Sequence, residues 1–252
     1  MEYLVLGPAG MGIFAIVGSL MKYEDDLKHI KEISGSSAGA IIALALATGH
    51  TLHDVLDRLL SVDFANLTKF KVKSFMSTYG FIDMAPIRQS LVEAYGCDPT
   101  FSELNKKVYI AAYCVNRART EYFSVDTHPH MKVIDAVCMS LAIPLVISSV
   151  KHGGMIYMDG GTKELFPVTP FIGKKPDKIM CIRVKHRDVY IDKIGNIKQY
   201  LKAIVTTALQ VPDTNTTVMG KVIELDIETE DMLKFTMTHD EKLKLLMKGM
   251  TS

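Results

Sequence analysis

Short apolar runs bounded by glycine, proline or small polar residues alternate along this chain with longer segments in which apolar positions recur every three or four residues. Tyr3–Leu6 predicts a buried strand, Gly7–Gly12 a glycine-rich turn and Ile13–Tyr23 an apolar helix. His29–Ile33 predicts a second strand, Gly35–Gly39 a turn and Ala40–Ala47 a helix rich in the best helix formers. Helices follow over Thr51–Leu60, with Thr51 as N-cap, and Met84–Tyr95, with Gly96 as the stop. The stretch Ser61–Phe81 between them has weak periodicity and is expected to form a mobile cover.

Further on, Val108–Val115 and Thr120–Val125 predict strands, and Lys132–Leu141 a helix halted by Pro144. Met155–Met158 is a short strand that runs into Asp159-Gly160-Gly161. Lys178–Val184 and Lys221–Ile227 predict strands, Ile194–Leu209 a helix and Asp240–Met250 an amphipathic helix. Strands alternating with helices favour an α/β fold with helices on both faces of the sheet. No repeat interrupts the alternation, so one domain over residues 1–252 is expected.

Composition removes several classes. A formal net charge of +1 offers no polyelectrolyte surface for nucleic acid. Cys97, Cys114, Cys138 and Cys181 stand singly, as free thiols rather than a disulfide framework. The start MEYLVLG lacks a signal peptide's basic region, and a cytoplasmic location is expected. The longest apolar stretch, Ala38–Ala47, is half the roughly 20 residues that a membrane span needs, so membrane contact would be peripheral.

The candidate chemistry is nucleophilic. A serine hydroxyl needs a sharp turn to expose it, a base to take its proton and donors for an oxyanion. Gly35-Ser36-Ser37-Ala38-Gly39 is a G-x-S-x-G sequence between a strand and a helix, the context that gives the motif meaning. Gly7, Ala9, Gly10, Met11 and Gly12 form a second turn between strand and helix, where free amides can gather an anion. A dinucleotide loop fits it poorly, because the glycines are out of order and no acidic residue closes the second strand. A phosphate-binding G-K-[ST] is absent.

These motifs come in an order that resembles the patatin-like phospholipase family, whose pattern is G-G-G-x-[RK]-G, G-x-S-x-G and D-G-[GA]. A fourth match, AVCMSLAIP over Ala136–Pro144, is similar to that family's A-x-x-x-S-x-A-x-P segment, and the resemblance covers roughly residues 3 to 185. It implies a three-layer α/β/α fold with a mostly parallel sheet, and a lipid acyl hydrolase with Ser37 as nucleophile and Asp159 as its base. It further implies that loop amides and the turns at Gly35, Gly39, Gly160 and Gly161 shape the site, with no cofactor and no metal. The substrate it implies is a phospholipid or lysophospholipid at a membrane or micelle surface. Pro8, Ala9 and Met11 depart from the family's glycines and its Arg or Lys, and Pro8 has no N–H to donate.

Two rival readings remain. One is a Ser-His-Asp hydrolase, for which His239 is the late histidine, although Ser37 follows only two strands. The other is a catalytically idle lipid-binding relative. His128, His130, His152 and His186 lack metal-ligand spacing and are expected in turns or on the surface. Lys69, Lys71 and Lys73 alternate with Phe70, Val72 and Phe75, as a guarded edge strand or a lipid-facing strip would. Lys242, Lys244 and Lys248, among Leu243, Leu245, Leu246 and Met247, are expected to mark an amphipathic helix packed on the domain.

Overall fold

The computed structural model describes residues 1–185, 193–209 and 220–252, so His186 lies outside the described residues. The strands are β1 (Tyr3–Leu6), β2 (Glu32–Ser36), β3 (Gly80–Ile82), β4 (Lys107–Cys114), β5 (Arg119–Phe123), β6 (Leu145–Ile147), β7 (Val150–His152), β8 (Met155–Asp159), β9 (Ile179–Lys185) and β10 (Lys221–Asp226). The α-helices are α1 (Ile13–Lys22), α2 (Glu24–Leu27), α3 (Ala38–Ala47), α4 (Leu52–Ser61), α5 (Phe64–Leu67), α6 (Val72–Thr78), α7 (Met84–Tyr95), α8 (Val133–Leu141), α9 (Ile197–Leu209), α10 (Thr229–Met232) and α11 (His239–Thr251).

The central sheet runs β10-β9-β1-β2-β4-β8-β7, with β5 on the other edge of β4. The five strands from β10 to β4 are parallel, and β5, β8 and β7 add antiparallel pairs. Side-chain alternation splits β1 between two cores: Leu4 and Leu6 join the large cluster with α1, α3 and α8, while Val5 joins Phe166, Val168 and Phe171 on the opposite face. That second face is covered by the segment after β8, with 3-10 turns at Thr169–Phe171 and Pro176–Lys178. The result is a mixed α/β fold with a central sheet flanked by helices.

Three differences from the sequence pattern have physical reasons. Strand β2 runs to Ser36 rather than ending at Ile33, because Gly35 pairs with both β1 and β4 and Ser36 pairs with β4, although the residues look like a turn. The weakly patterned segment is built from α5, α6 and β3, and β3 pairs with β6 in a separate two-stranded sheet. The Lys69–Phe75 alternation is consequently not an edge strand, because the chain is helical from Val72. Phe75 stacks on Phe81 at 4.4 Å between centroids, Lys71 pairs with Asp83 at 3.2 Å, and the Lys73 side chain lies outside the described residues. Caps at Thr51 and Gly96 stand as expected, a capping box and a left-handed stop. Helix α11 packs on α1 so closely that a Cβ on Gly249 would lie 1.9 Å from the Ala15 carbonyl oxygen. Its Lys242 is buried, with the ammonium 5.0 Å from the centre of the Phe64 ring.

Candidate active site

Strand register brings the two ends of the site together. On one edge of β4, Ser36 pairs with Ala111 in parallel and Asp159 pairs with the next residue, Ala112, antiparallel. Both strands must share that edge, because β5 holds the other one with Tyr122 opposite Ala111 and Glu121 opposite Ala112. Ser37, one residue past the end of β2, therefore faces Asp159 at the end of β8. Both are buried, at 3% and 1% exposure, and both line one small cavity with Ala9, Gly10 and Ile143.

Ser37 sits at φ 53° and ψ −125°, a left-handed position unusual for a residue with a side chain, and α3 begins immediately after it. Such a corner persists only where its surroundings hold it. The Ser37 amide donates to Ser140 Oγ at 2.8 Å, and the Ser140 hydroxyl donates in turn to the Ala111 carbonyl at 2.6 Å. Gly39 lets α3 pass over β1, since a Cβ there would lie 2.3 Å from the Leu6 carbonyl oxygen. Two residues beyond Ser140, the Ala142 carbonyl accepts the Asp159 amide at 2.9 Å. One segment, Ser140 to Ala142, thus anchors both halves of the site to β4.

Ser140→Ala would leave a buried amide and a buried carbonyl without their partner, a cost of about 1–3 kcal/mol. It is expected to lower kcat on a short ester about tenfold or more and to lower the melting temperature; unchanged kcat would show that the elbow does not need this anchor.

Burial pushes the Asp159 carboxyl up to about 7, opposed by the Ser37 hydroxyl and by the Gly161 amide, which donates to Oδ1 at 2.7 Å. A carboxylate of that basicity beside a serine is suited to proton transfer near neutral pH. Gly160 and Gly161 follow in a tight 3-10 turn, and a Cβ on Gly161 would strike Pro8 at 2.7 Å. Pro8 thus packs the first glycine-rich turn against the Asp159 turn. In that turn the Gly7 amide is bonded to Ile182 and the Gly12 amide to Ala9, so neither is available as an oxyanion donor. The amides of Ala9, Gly10 and Met11 precede the first bonded amide of the 3-10 turn and have no acceptor within it. Gly10 takes φ 52° there, with Met232 of α10 close above it.

A second cavity of about 130 Å³ opens from Ser37 and is walled mainly by apolar side chains of α4, α5 and α7 together with Met11, Leu141 and Phe235. Met11 serves as part of this wall. No periodicity in the sequence marks these residues as lining, because they belong to several different elements. Ser140, by contrast, lies in a motif already singled out, although its role needed the fold. No histidine among the described residues lines either cavity. His239 opens α11 behind the Thr238 cap, and His128 and His152 lie 6.1 Å apart between ring centres beside Phe123. Among the described residues no group of three or more His, Cys, Asp or Glu side chains could hold a metal ion. The four cysteines are free, and no helix among the described residues is long and apolar enough to cross a membrane.

Comparison with known proteins bears on the same elements. The family model described as patatin-like phospholipase matches residues 4–172, from β1 through the Ser37 and Asp159 turns. The chain belongs to the patatin-like phospholipase family. An uncharacterized protein of Acanthamoeba polyphaga mimivirus, R571, is 31% identical over 67% of this chain and 60% of its own length. A probable lipid hydrolase of Invertebrate iridescent virus 6, 463L, is 24% identical over 97% of this chain and 88% of its own length. A cGAMP-activated phospholipase of Escherichia coli is 26% identical over 66% of this chain and half of its own. Among solved structures, VipD from Legionella pneumophila has TM-score 0.59 at 15% identity, covering 97% of this chain and 66% of VipD. The type III effector ExoU has TM-score 0.52 at 16% identity, covering 99% of this chain and 51% of ExoU. The patatin-like fold is therefore shared with proteins of which this chain spans only about half to two thirds.

Proposed function

We propose that this chain is a lipid acyl hydrolase of the phospholipase A or lysophospholipase type, working through a Ser37-Asp159 dyad. The observation that carries the reading is the placement of a strained, buried Ser37 against a buried carboxyl of raised pKa, at the mouth of an apolar cavity. Membership of the family supports it, as does the probable lipid hydrolase activity for which the iridescent virus relative is named.

In this reading the Asp159 carboxylate takes the Ser37 proton as Oγ bonds to the ester carbonyl carbon, and the carbonyl electrons move onto oxygen. The amides of Ala9, Gly10 and Met11 and the first amides of α3 meet that oxyanion. As the tetrahedral intermediate collapses, the alcohol leaves with the proton that Asp159 held. Water then attacks the acyl-enzyme, giving its proton to Asp159, and the fatty acid departs as Ser37 recovers a proton. The bulk substrate is a lipid surface met by peripheral contact, and the chemistry uses neither metal nor cofactor.

An active-site-directed fluorophosphonate is expected to label Ser37, read by mass spectrometry of the digested protein, with labelling lost in Ser37→Ala. Labelling at another serine would move the nucleophile away from Ser37, and no labelling in folded protein would favour a lipid-binding relative without turnover.

A further inference from the structure

The apolar cavity that opens at Ser37 does not end in packed core. Its far wall contains Arg58 and Val62 of α4 and its continuation and Ser90 and Ala94 of α7, and these same residues line a separate, more open basin of about 520 Å³. The remaining walls of that basin mix Ser61, Asp63, Asn66, Gln89 and Glu93 with Leu67 and Pro86, whereas the cavity at Ser37 is almost wholly apolar. A mainly apolar compartment therefore meets a more polar one at the level of Arg58 and Ser90.

Arg58 is unusual among the described arginines. Arg88 pairs with Asp98 and Asp135, Arg117 and Arg119 with Glu121, and Arg183 with Glu224, whereas Arg58 makes no ion pair with a carboxylate among the described residues. It is half-buried and borders both compartments. An arginine in that position covers apolar surface with its methylenes and keeps the guanidinium in water, so it needs no ion pair. Ser90, on the facing helix, is a small side chain that lines both compartments.

We infer that Arg58 and Ser90 form a ruler that sets the length of acyl chain the site rewards. This rests on the dyad reading, which puts the acyl carbon at Ser37 and the chain in the apolar cavity. Each methylene buried between Ser37 and the Arg58 level gains about fourfold in binding to the transition state, the equivalent of one buried CH2. A methylene beyond that level enters a more open basin where charged and amide groups stand among Leu67 and Pro86, and it gains much less.

The test is kcat/KM for p-nitrophenyl esters of straight-chain acids, from acetate upward and below their aggregation concentrations, because the leaving group stays constant. For the wild type, kcat/KM is expected to climb steeply with chain length to a break and far less steeply beyond it. Ser90→Phe, which adds bulk where the two compartments meet, should move the break to shorter chains. Arg58→Leu, which extends the apolar wall, should move it to longer chains. A break that stays put in both folded variants overturns the ruler, as does a wild-type profile with no break.

Failure of the hydrolase reading is distinguishable, because a wild type that cleaves no ester fails it at acetate. The ruler is then read by displacement of a bound fluorescent fatty acid with the free acids of the same series. The same shifts in both variants support it, and unshifted affinities sink it.

Discussion

Asp159→Asn is expected to abolish ester hydrolysis as completely as Ser37→Ala, each lowering kcat by about 10⁴-fold, and the double variant should be no worse than either. The reason is the pairing itself. In a Ser-His-Asp triad the carboxylate orients a histidine, so its loss leaves a base in place; here no described histidine lines a cavity at Ser37, and Asp159 faces the nucleophile directly. Residues that act as one unit fail together, which is why the two losses should not add. Replacing His128, His130, His152, His186 and His239 in turn should leave most of the activity. The exchange of carboxylate for amide is nearly isosteric, and Asn can still accept the Gly161 amide, so the variant should fold and can be compared at matched circular dichroism. Substantial activity in Asp159→Asn alongside one dead histidine variant would replace the dyad with a triad.

The chemistry of this site was more legible in the sequence than its walls. Ser37 and Asp159 sit in short motifs whose spacing survives without any knowledge of packing, and the strand-turn-helix context of Ser37 and the strand running into Asp159 could be read from local pattern. What brings them together is not local. It depends on β2 and β8 meeting one edge of β4 at adjacent residues, a fact of register that a single chain does not display. Gly35 and Ser36 read as a turn because they are small, yet they are buried strand, Gly35 paired with neighbours on both sides and Ser36 with β4. Strands β3, β6 and β7 have three residues each, too few for a period of two to stand out. The apolar cavity is drawn from α4, α5, α7 and α8, whose inward positions look like ordinary core until the helices are placed. Pro8 shows the opposite case: it departs from the family pattern, and the fold gives it a packing role against Gly161 that the pattern alone does not suggest.

The raised pKa of Asp159 should appear both in the rate and in the stability, with opposite consequences. As the base, Asp159 must be ionised, so kcat/KM on a short ester is expected to rise through pH about 7 and to fall about tenfold per unit below it. Stability runs the other way. Burial favours the neutral carboxyl, so between 3.8, its ordinary value, and about 7 the unfolded chain has released this proton while the folded chain still holds it. The folded state then binds more protons, and the contribution of this residue to stability falls as pH rises through that window. Below the window both states are protonated and nothing is lost. Above it the loss is complete, on the order of 4 kcal/mol from the size of the shift. Asp159→Asn does not titrate, so it should melt several degrees above the wild type at pH 8 and close to it near pH 4. A variant that is inactive yet more stable only at the higher pH would show that the protein holds a base in a place where folding alone would have preferred a neutral group. A wild type as stable as the variant at pH 8 would mean that the ionised carboxylate is compensated in the site, and the rate profile should then lose its inflection near 7 as well.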